Sequence, residues 1–198
     1  MTTIIRFATE ADAGAIGAIY APYVRETVIS FEQEPPEEAT LRERIGRISE
    51  MFPWVVCQRD DLVVGYAYAS RHRERHAYQW SVDVTVYVQQ GLHRSGVGRG
   101  LYTSLIGLLR LQGFYNAYAG IALPNDASIG LHRALGFQPV GVYERVGYKL
   151  GKWHSVAWFG LALQALSDSP APPRPIPAIM NEPETQAALA SGLSLIRL

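Results

Sequence analysis

Ten residues, Gly91-Leu-His-Arg-Ser-Gly-Val-Gly-Arg-Gly100, constrain the fold of this chain more than any others. They separate a run of alternating residues, Ser81–Val88, from a run with helical spacing, Val97–Gln112. A glycine-rich turn from strand to helix lets backbone N–H groups approach a ligand closely. The helix start adds unpaired donors and the positive end of a dipole. Such a turn suits a phosphate or pyrophosphate, and Arg94 and Arg99 add charge. The same glycines also serve tight packing at a helix entry, so the motif alone leaves both readings open.

The flanking segments place that turn inside one α/β unit. Thr3–Ala8 reads as a strand, and Thr9 with Asp12 resembles a capping box. Ile16, Ile19, Tyr20, Tyr23 and Val24 recur at helical spacing and predict a helix over 10–25. Prolines end regular structure within Thr27–Pro36. A second helix starts near Glu37, with Leu41, Ile45 and Ile48 on one face. Trp54–Gln58 and Leu62–Ser70, joined by Arg-Asp-Asp, predict a hairpin. In Tyr78–Val88, Trp80, Val82, Val84, Val86 and Val88 alternate with polar or smaller residues, the clearest strand in the chain. Val97, Leu101, Leu105, Leu108 and Leu109 give the next helix, which Gly113 ends. Asn116–Leu123 reads as a strand, Asn125–Leu135 as a short helix, and Gln138–Arg145 and Trp153–Leu163 as closing strands. The expected order is β-α-α-β-β-β-α-β-α-β-β within a domain over 1–165. From Ser167 the composition turns proline-rich, so 166–198 reads as a stiff linker and tail. Its last part, Glu182–Leu198, is expected to form a short helix against a partner subunit.

Lysine plus arginine equals aspartate plus glutamate, 18 each, which argues against a nucleic-acid or acidic-membrane partner. The single cysteine, Cys57, rules out an internal disulfide and disfavours a cysteine-based metal site; no metal is expected. The N-terminal residues lack a basic segment followed by a long apolar run, and no apolar stretch approaches membrane-spanning length. The expectation is a soluble cytoplasmic protein.

Three nucleotide-loop readings compete for the glycines. A Walker A loop needs Gly-Lys-Ser/Thr, but Gly100 is followed by Leu-Tyr. A dinucleotide fingerprint needs Gly-x-Gly-x-x-Gly, and after Gly96-Val-Gly98 the third glycine is displaced. The third is the acyl-CoA loop, Gln/Arg-x-x-Gly-x-Gly/Ala. With Tyr78-Gln-Trp-Ser-Val-Asp-Val-Thr-Val-Tyr-Val88, the loop His93–Gly98, Leu101-Tyr-Thr, Leu123-Pro-Asn-Asp-Ala-Ser-Ile-Gly-Leu-His132, Leu135-Gly-Phe137 and Gly151-Lys-Trp-His154, the chain resembles the GNAT superfamily of N-acetyltransferases. Within it, the resemblance is to the phosphinothricin and methionine sulfoximine acetyltransferase branch, over roughly 3–164.

That resemblance implies an α/β GNAT fold: a mixed, mostly antiparallel sheet of about seven strands with about four helices, splayed between the fourth and fifth strands. It implies acetyl-CoA as co-substrate. Backbone groups of Val86, Tyr87 and Val88 would bind the pantetheine, the loop Arg94, Ser95, Gly96, Val97, Gly98 and Arg99 the pyrophosphate, and Asn125 and Ser128 the CoA arm. It further implies Asp83 as base or amine-positioning group, His132 at the place of a tyrosine acid, and His154 as a second catalytic candidate. Arg73 and Arg75 match basic substrate-binding positions, with Phe31 and Tyr87 closing the pocket. Two departures stand out: His93 replaces the usual glutamine or arginine, and Asp83 the usual glutamate, one methylene longer. The expected reaction is direct acetyl transfer to the amine of a small anionic amino acid or analogue, in a homodimer. Acetylation of another small amine or a protein N-terminus, and a non-catalytic acyl-CoA-binding regulator, are the alternatives.

Overall fold

A computed structural model describes residues 2–198. Seven strands form one sheet in the order β1-β2-β3-β4-β5-β7-β6. They are β1 (Thr3–Phe7), β2 (Trp54–Arg59), β3 (Leu62–Arg71), β4 (Ser81–Val88), β5 (Asn116–Ala122), β6 (Gln138–Lys149) and β7 (Lys152–Ala162). All neighbours are antiparallel except β4 and β5. Helices α1 (Ala13–Glu26) and α2 (Glu38–Ser49) cover one face, and α3 (Val97–Gln112) lies on the other. The helix α4 (Asp126–Ala134) follows β5. The two short helices α5 (Ile176–Ile179) and α6 (Pro183–Ala190) belong to the tail. Among the described residues no helix is long and apolar enough to cross a membrane.

Side-chain alternation sorts the two cores. On β2, Trp54 and Val56 join Ile16, Ile19, Tyr20, Leu41 and Ile45 beneath α1 and α2. Val55 and Cys57 point the other way, into the cluster with Val82, Leu101, Leu105 and Leu109 of α3. Leu105 is fully buried, so truncating it to alanine costs about 2–5 kcal/mol. The Thr9–Asp12 box forms as expected, and Gly113 ends α3 in a left-handed conformation, φ 91°. The β6–β7 hairpin runs longer than its pattern suggests, because register shifts between Pro139 and Gly141 and between Tyr143 and Gly147 interrupt the alternation.

The parallel pair decides where ligands go. β4 and β5 pair only from Ser81 with Asn116 to Asp83 with Tyr118. Beyond that point β5 stays with β7 along its whole length, from Asn116 opposite Ala162 to Ala122 opposite Val156. β4 stays with β3 up to Gly65 opposite Val88. The edges of Val84–Val88 and Ala119–Ala122 that face each other are left without a strand partner, so their polar groups need another.

The tail, expected against a partner subunit, has an intramolecular seat. It packs on α3 of its own chain, with Ile176, Ile179, Thr185 and Leu189 buried. Ser104 Oγ donates to Leu189 O at 2.7 Å, Gln112 Nε2 donates to Met51 O and Arg174 O, and Arg197 N donates to Ser95 O at 2.8 Å. Glycines make this approach possible. A Cβ on Gly96 would lie 1.9 Å from Leu195 O, and one on Gly100 would lie 2.7 Å from Gly192 O. The proline-rich segment is likewise pinned, by Trp80 Nε1 donating to Ala171 O and Arg174 N to Gln112 O.

Candidate active site

The cleft between the diverging strands is lined by Val84–Tyr87 of β4, Ala119–Ala122 of β5, Asn125, Ser128 and His132 of α4, Tyr102 of α3, and Ile29. Six of these residues, Thr85, Tyr87, Tyr102, Asn125, Ser128 and His132, have polar side chains among apolar ones, an arrangement suited to an extended ligand. At one end lies the start of α3. Gly96 is its N-cap, with φ 85°, and no side chain caps it. The first intrahelical bond is Gly100 N to Gly96 O at 2.8 Å, so the N–H groups before Gly100 lie in the uncapped first turn. That end fits an anion.

The glycines of the loop divide their work. Gly98 faces the cleft wall, where a Cβ would meet Leu131, Val88 and Val86 at ordinary distances. Gly96 and Gly100 back onto the tail. His93 anchors the loop from the α1 side: Tyr23 Oη donates to Val88 O at 2.5 Å and lies 2.8 Å from His93 Nε2. This gives the replaced first loop position a structural part, through the Tyr23 hydroxyl it shares with Val88 O.

On α4, Asn125 Oδ1 accepts from Ser128 N at 3.1 Å, the expected N-cap, while also lining the cleft. His132 is buried. Its Nδ1 lies 2.8 Å from Ser128 O, so Nδ1 carries the proton, and Nε2 accepts from Tyr102 Oη at 3.2 Å. Burial lowers its pKa, although the bond to Ser128 O opposes this, and keeps the ring neutral. Burial raises that of Tyr102.

At the other end of the cleft, Asp83 sits on the last paired residue of β4. Its Oδ1 is 2.7 Å from His72 Nδ1, and its pKa is raised by burial, against the lowering effects of His72 and the Arg73 charge. Arg73 and Arg75 are both exposed, and Arg73 Nη1 donates to His72 O at 3.2 Å. Tyr87 packs between Tyr20 and Tyr23, ring centroids 4.9 and 5.1 Å away. Phe31 lies against Gly147 of β6, where a Cβ would be 2.1 Å from its ring. It stands 6.5 Å from the His154 ring. His154 Nε2 donates to Lys149 O at 3.0 Å, and no hydrogen bond joins it to Asp83.

The structure thus gathers Asp83, Tyr87, Asn125, Ser128 and His132 around one cleft, with the loop at its end. Sequence reasoning missed His72, Tyr102, Gly120 and Trp158. Gly120 leaves a gap on β5 that the Trp158 ring fills from β7, 3.4 Å from where a Cβ would be. Among the described residues no cluster of three or more metal-ligating side chains forms.

Comparison with known proteins agrees with this geometry. Residues 5–158 match the acetyltransferase (GNAT) domain family. The phosphinothricin N-acetyltransferase of Streptomyces viridochromogenes is 39% identical over 172 residues, covering 87% of this chain and 92% of that protein. An L-methionine sulfoximine/L-methionine sulfone acetyltransferase of Pseudomonas paraeruginosa is 33% identical over 172 residues, covering 86% and 100%. A solved GNAT superfamily phosphinothricin acetyltransferase from Sinorhizobium meliloti, in complex with acetyl-CoA, superposes with a TM-score of 0.80 at 34% identity, covering 87% and 97%.

Proposed function

The chain belongs to the GNAT acetyltransferase family, and from that premise we propose that it transfers acetyl from acetyl-CoA to the amine of a small anionic amino acid or analogue. Compounds of the phosphinothricin and methionine sulfoximine type lead the acceptor list, as the named relatives act on them. The observation that carries this reading is the cleft itself. An uncapped helix start stands at one end and a carboxylate at the other, joined by strand edges without partners.

Acetyl-CoA lies along that cleft in this reading. The loop from Arg94 to Arg99 holds the pyrophosphate, with Ser95, Gly96, Val97 and Gly98 between the two arginines. Val86, Tyr87 and Val88 offer their backbone to the pantetheine, and Asn125 and Ser128 contact the CoA arm. The tetrahedral oxyanion takes a backbone N–H of β4 near Tyr87. His132, its ring held by Tyr102, stands on the side of the departing thiolate. Arg73 and Arg75 bind the acceptor's anionic groups, each through a two-pronged contact. Phe31, Tyr87 and His154 close the pocket around the acceptor. Asp83 supplies the negative charge that draws the acceptor's ammonium to the cleft mouth, where it must lose a proton before it attacks.

A homodimer completes the reading. β6 is an edge strand whose outer face carries exposed Val140, Val146 and Tyr148, followed by Trp153 at 61% exposure. Exposed apolar edges of this kind call for cover. Light scattering should return a mass near 44 kDa, about twice the 21.9 kDa chain. A monomer at micromolar concentration would remove the dimer.

The function itself is tested by thiol release from acetyl-CoA with phosphinothricin, methionine sulfoximine, glutamate and free methionine. Turnover with the first two is expected. Acetyl-CoA binding with no release for any acceptor would replace the enzyme by a binding protein.

A further inference from the structure

We propose that His72 is the group that takes the proton from the acceptor amine, and that Asp83 is the positioning residue that aims it. This rests on the acetyl-transfer reading above. Asp83 is one methylene shorter than the glutamate common at its position, and here a ring extends its reach. The His72 Nδ1–H donates to Asp83 Oδ1 at 2.7 Å. A carboxylate bound to one ring nitrogen fixes the tautomer and leaves the lone pair on the other, Nε2. Among the described residues Nε2 has no protein hydrogen-bond partner.

The ring's place is fixed by packing. It stacks on Tyr118 at 4.6 Å and 27°, and meets Trp158 and Tyr78 edge-on at 6.2 and 6.1 Å. Tyr118 is opposite Asp83 in the last register pair, so the dyad stands where β4 and β5 part and the cleft opens. On β3, Tyr68 is opposite Thr85 and Ser70 opposite Asp83. The same alternation carries the chain on to His72, which shares the Asp83 face of the sheet. The His72 side chain is 14% exposed, shielded yet not sealed from solvent.

The charged and titratable neighbours are few. Asp83 faces the ring from β4, Arg73 acts on Asp83 from the adjoining segment, and Tyr118 and Tyr78 contribute rings. Arg71 is occupied with Glu74 at 3.6 Å on the exposed side.

The step balances without a co-reactant. One ammonium proton moves to His72 Nε2, directly or through a water, and the nitrogen lone pair forms the C–N bond. The C–S bond then breaks and sulfur keeps its electron pair. Two protons leave nitrogen in all: one ends on the CoA sulfur and one is released to solvent from the imidazolium.

The variant that separates base from brace is His72→Asn. Asparagine keeps a donor where Nδ1–H stood but has no basic lone pair. With acetyl-CoA and phosphinothricin, kcat/KM should fall by roughly 10²–10³ with acetyl-CoA binding retained, and the acidic limb of the pH–rate profile should disappear. Activity within threefold of wild type, with that limb intact, would overturn the proposal. If the variant fails to bind acetyl-CoA, ¹⁵N spectra of the wild-type histidines decide instead. A protonated Nδ1 with a bare Nε2 on His72, lost in Asp83→Asn, supports the dyad; a protonated Nε2 overturns it. A wild-type protein that turns over none of the acceptors fails the functional reading, and the ¹⁵N result still judges the pair.

Discussion

Two aspartates in this chain sit out of full solvent beside a basic partner, and their fates are opposite. Asp12 receives Arg6 Nη1 and Nη2 at 2.8 and 2.7 Å, Thr9 N at 2.8 Å and Thr9 Oγ1 at 3.2 Å. Burial pushes its pKa up, but the Arg6 fork and the Thr9 groups outweigh this and hold it below the ordinary value. Asp83 has one partner, His72, and there burial wins. Four donors and a permanent cation make a fixed anchor. A single titratable donor leaves a carboxylate with spare acceptor capacity at the mouth of a cleft, which is where chemistry can use it.

The comparison breaks most visibly in rate. Asp83→Asn should lower kcat/KM for phosphinothricin by about 10²–10⁴ while acetyl-CoA affinity stays within a few-fold. Asp12→Asn should leave the rate of the folded enzyme unchanged. Thiol-release kinetics at 25 °C read both, and equal losses would mean that the two carboxylates share a role.

Stability should reverse the ranking. Asp12→Asn leaves the Arg6 fork half-satisfied and should cost about 1–3 kcal/mol. Asp83→Asn removes a charge that burial disfavours, and should raise Tm by roughly 1–3 °C. Calorimetry at pH 7 reads the sign, and a lowered Tm for Asp83→Asn would class it with Asp12.

Acid sharpens the contrast. A depressed folded pKa stabilises above the unfolded value, about 3.9, and that stabilisation is lost as pH falls through the folded value. Asp12 therefore favours folding at neutral pH, and Asp12→Asn should flatten the loss of stability below pH 4. Asp83 has the opposite sign: its raised value favours the folded state at low pH and costs stability as pH rises through it. Urea titrations between pH 3 and 7 on both variants should diverge.

The smallest expected effect is the pH shift in Arg73→Ala, apart from the rise in KM that its acceptor-binding role predicts. The positive charge of Arg73 acts on Asp83, the partner of His72, so Arg73→Ala should move the acidic limb of the rate profile slightly upward in pH. No movement would place Arg73 too far away to matter electrostatically.

Much of this was legible in the chain. The alternation of Trp80–Val88 and the leucines of α3 dictate their elements through local periodicity, and Gly113 marks a stop by its need for positive φ. The parity of β3, with Tyr66, Tyr68, Ser70 and then His72, is also readable. The register that sets Ser70 opposite Asp83 is not, since it depends on pairing across the sheet. The dyad was therefore hidden although both members were in view. Gly96 and Gly100 carry a second meaning for a related reason. A glycine announces that something comes close, not what it is, and here their partner is the carbonyls of Leu195 and Gly192. The tail's seat on α3 follows from that groove of small residues.

Cys57, the single thiol, is buried in β2 with its pKa pushed up to about 11 by desolvation. The protein is thus silent toward thiol reagents while folded, and free CoA can be followed by disulfide exchange against almost no background. The same silence makes it a ready host for one installed label. A cysteine at exposed Ser194, beside the Leu195 carbonyl that abuts Gly96, would carry a fluorophore to the back of the loop and report its loading by colour.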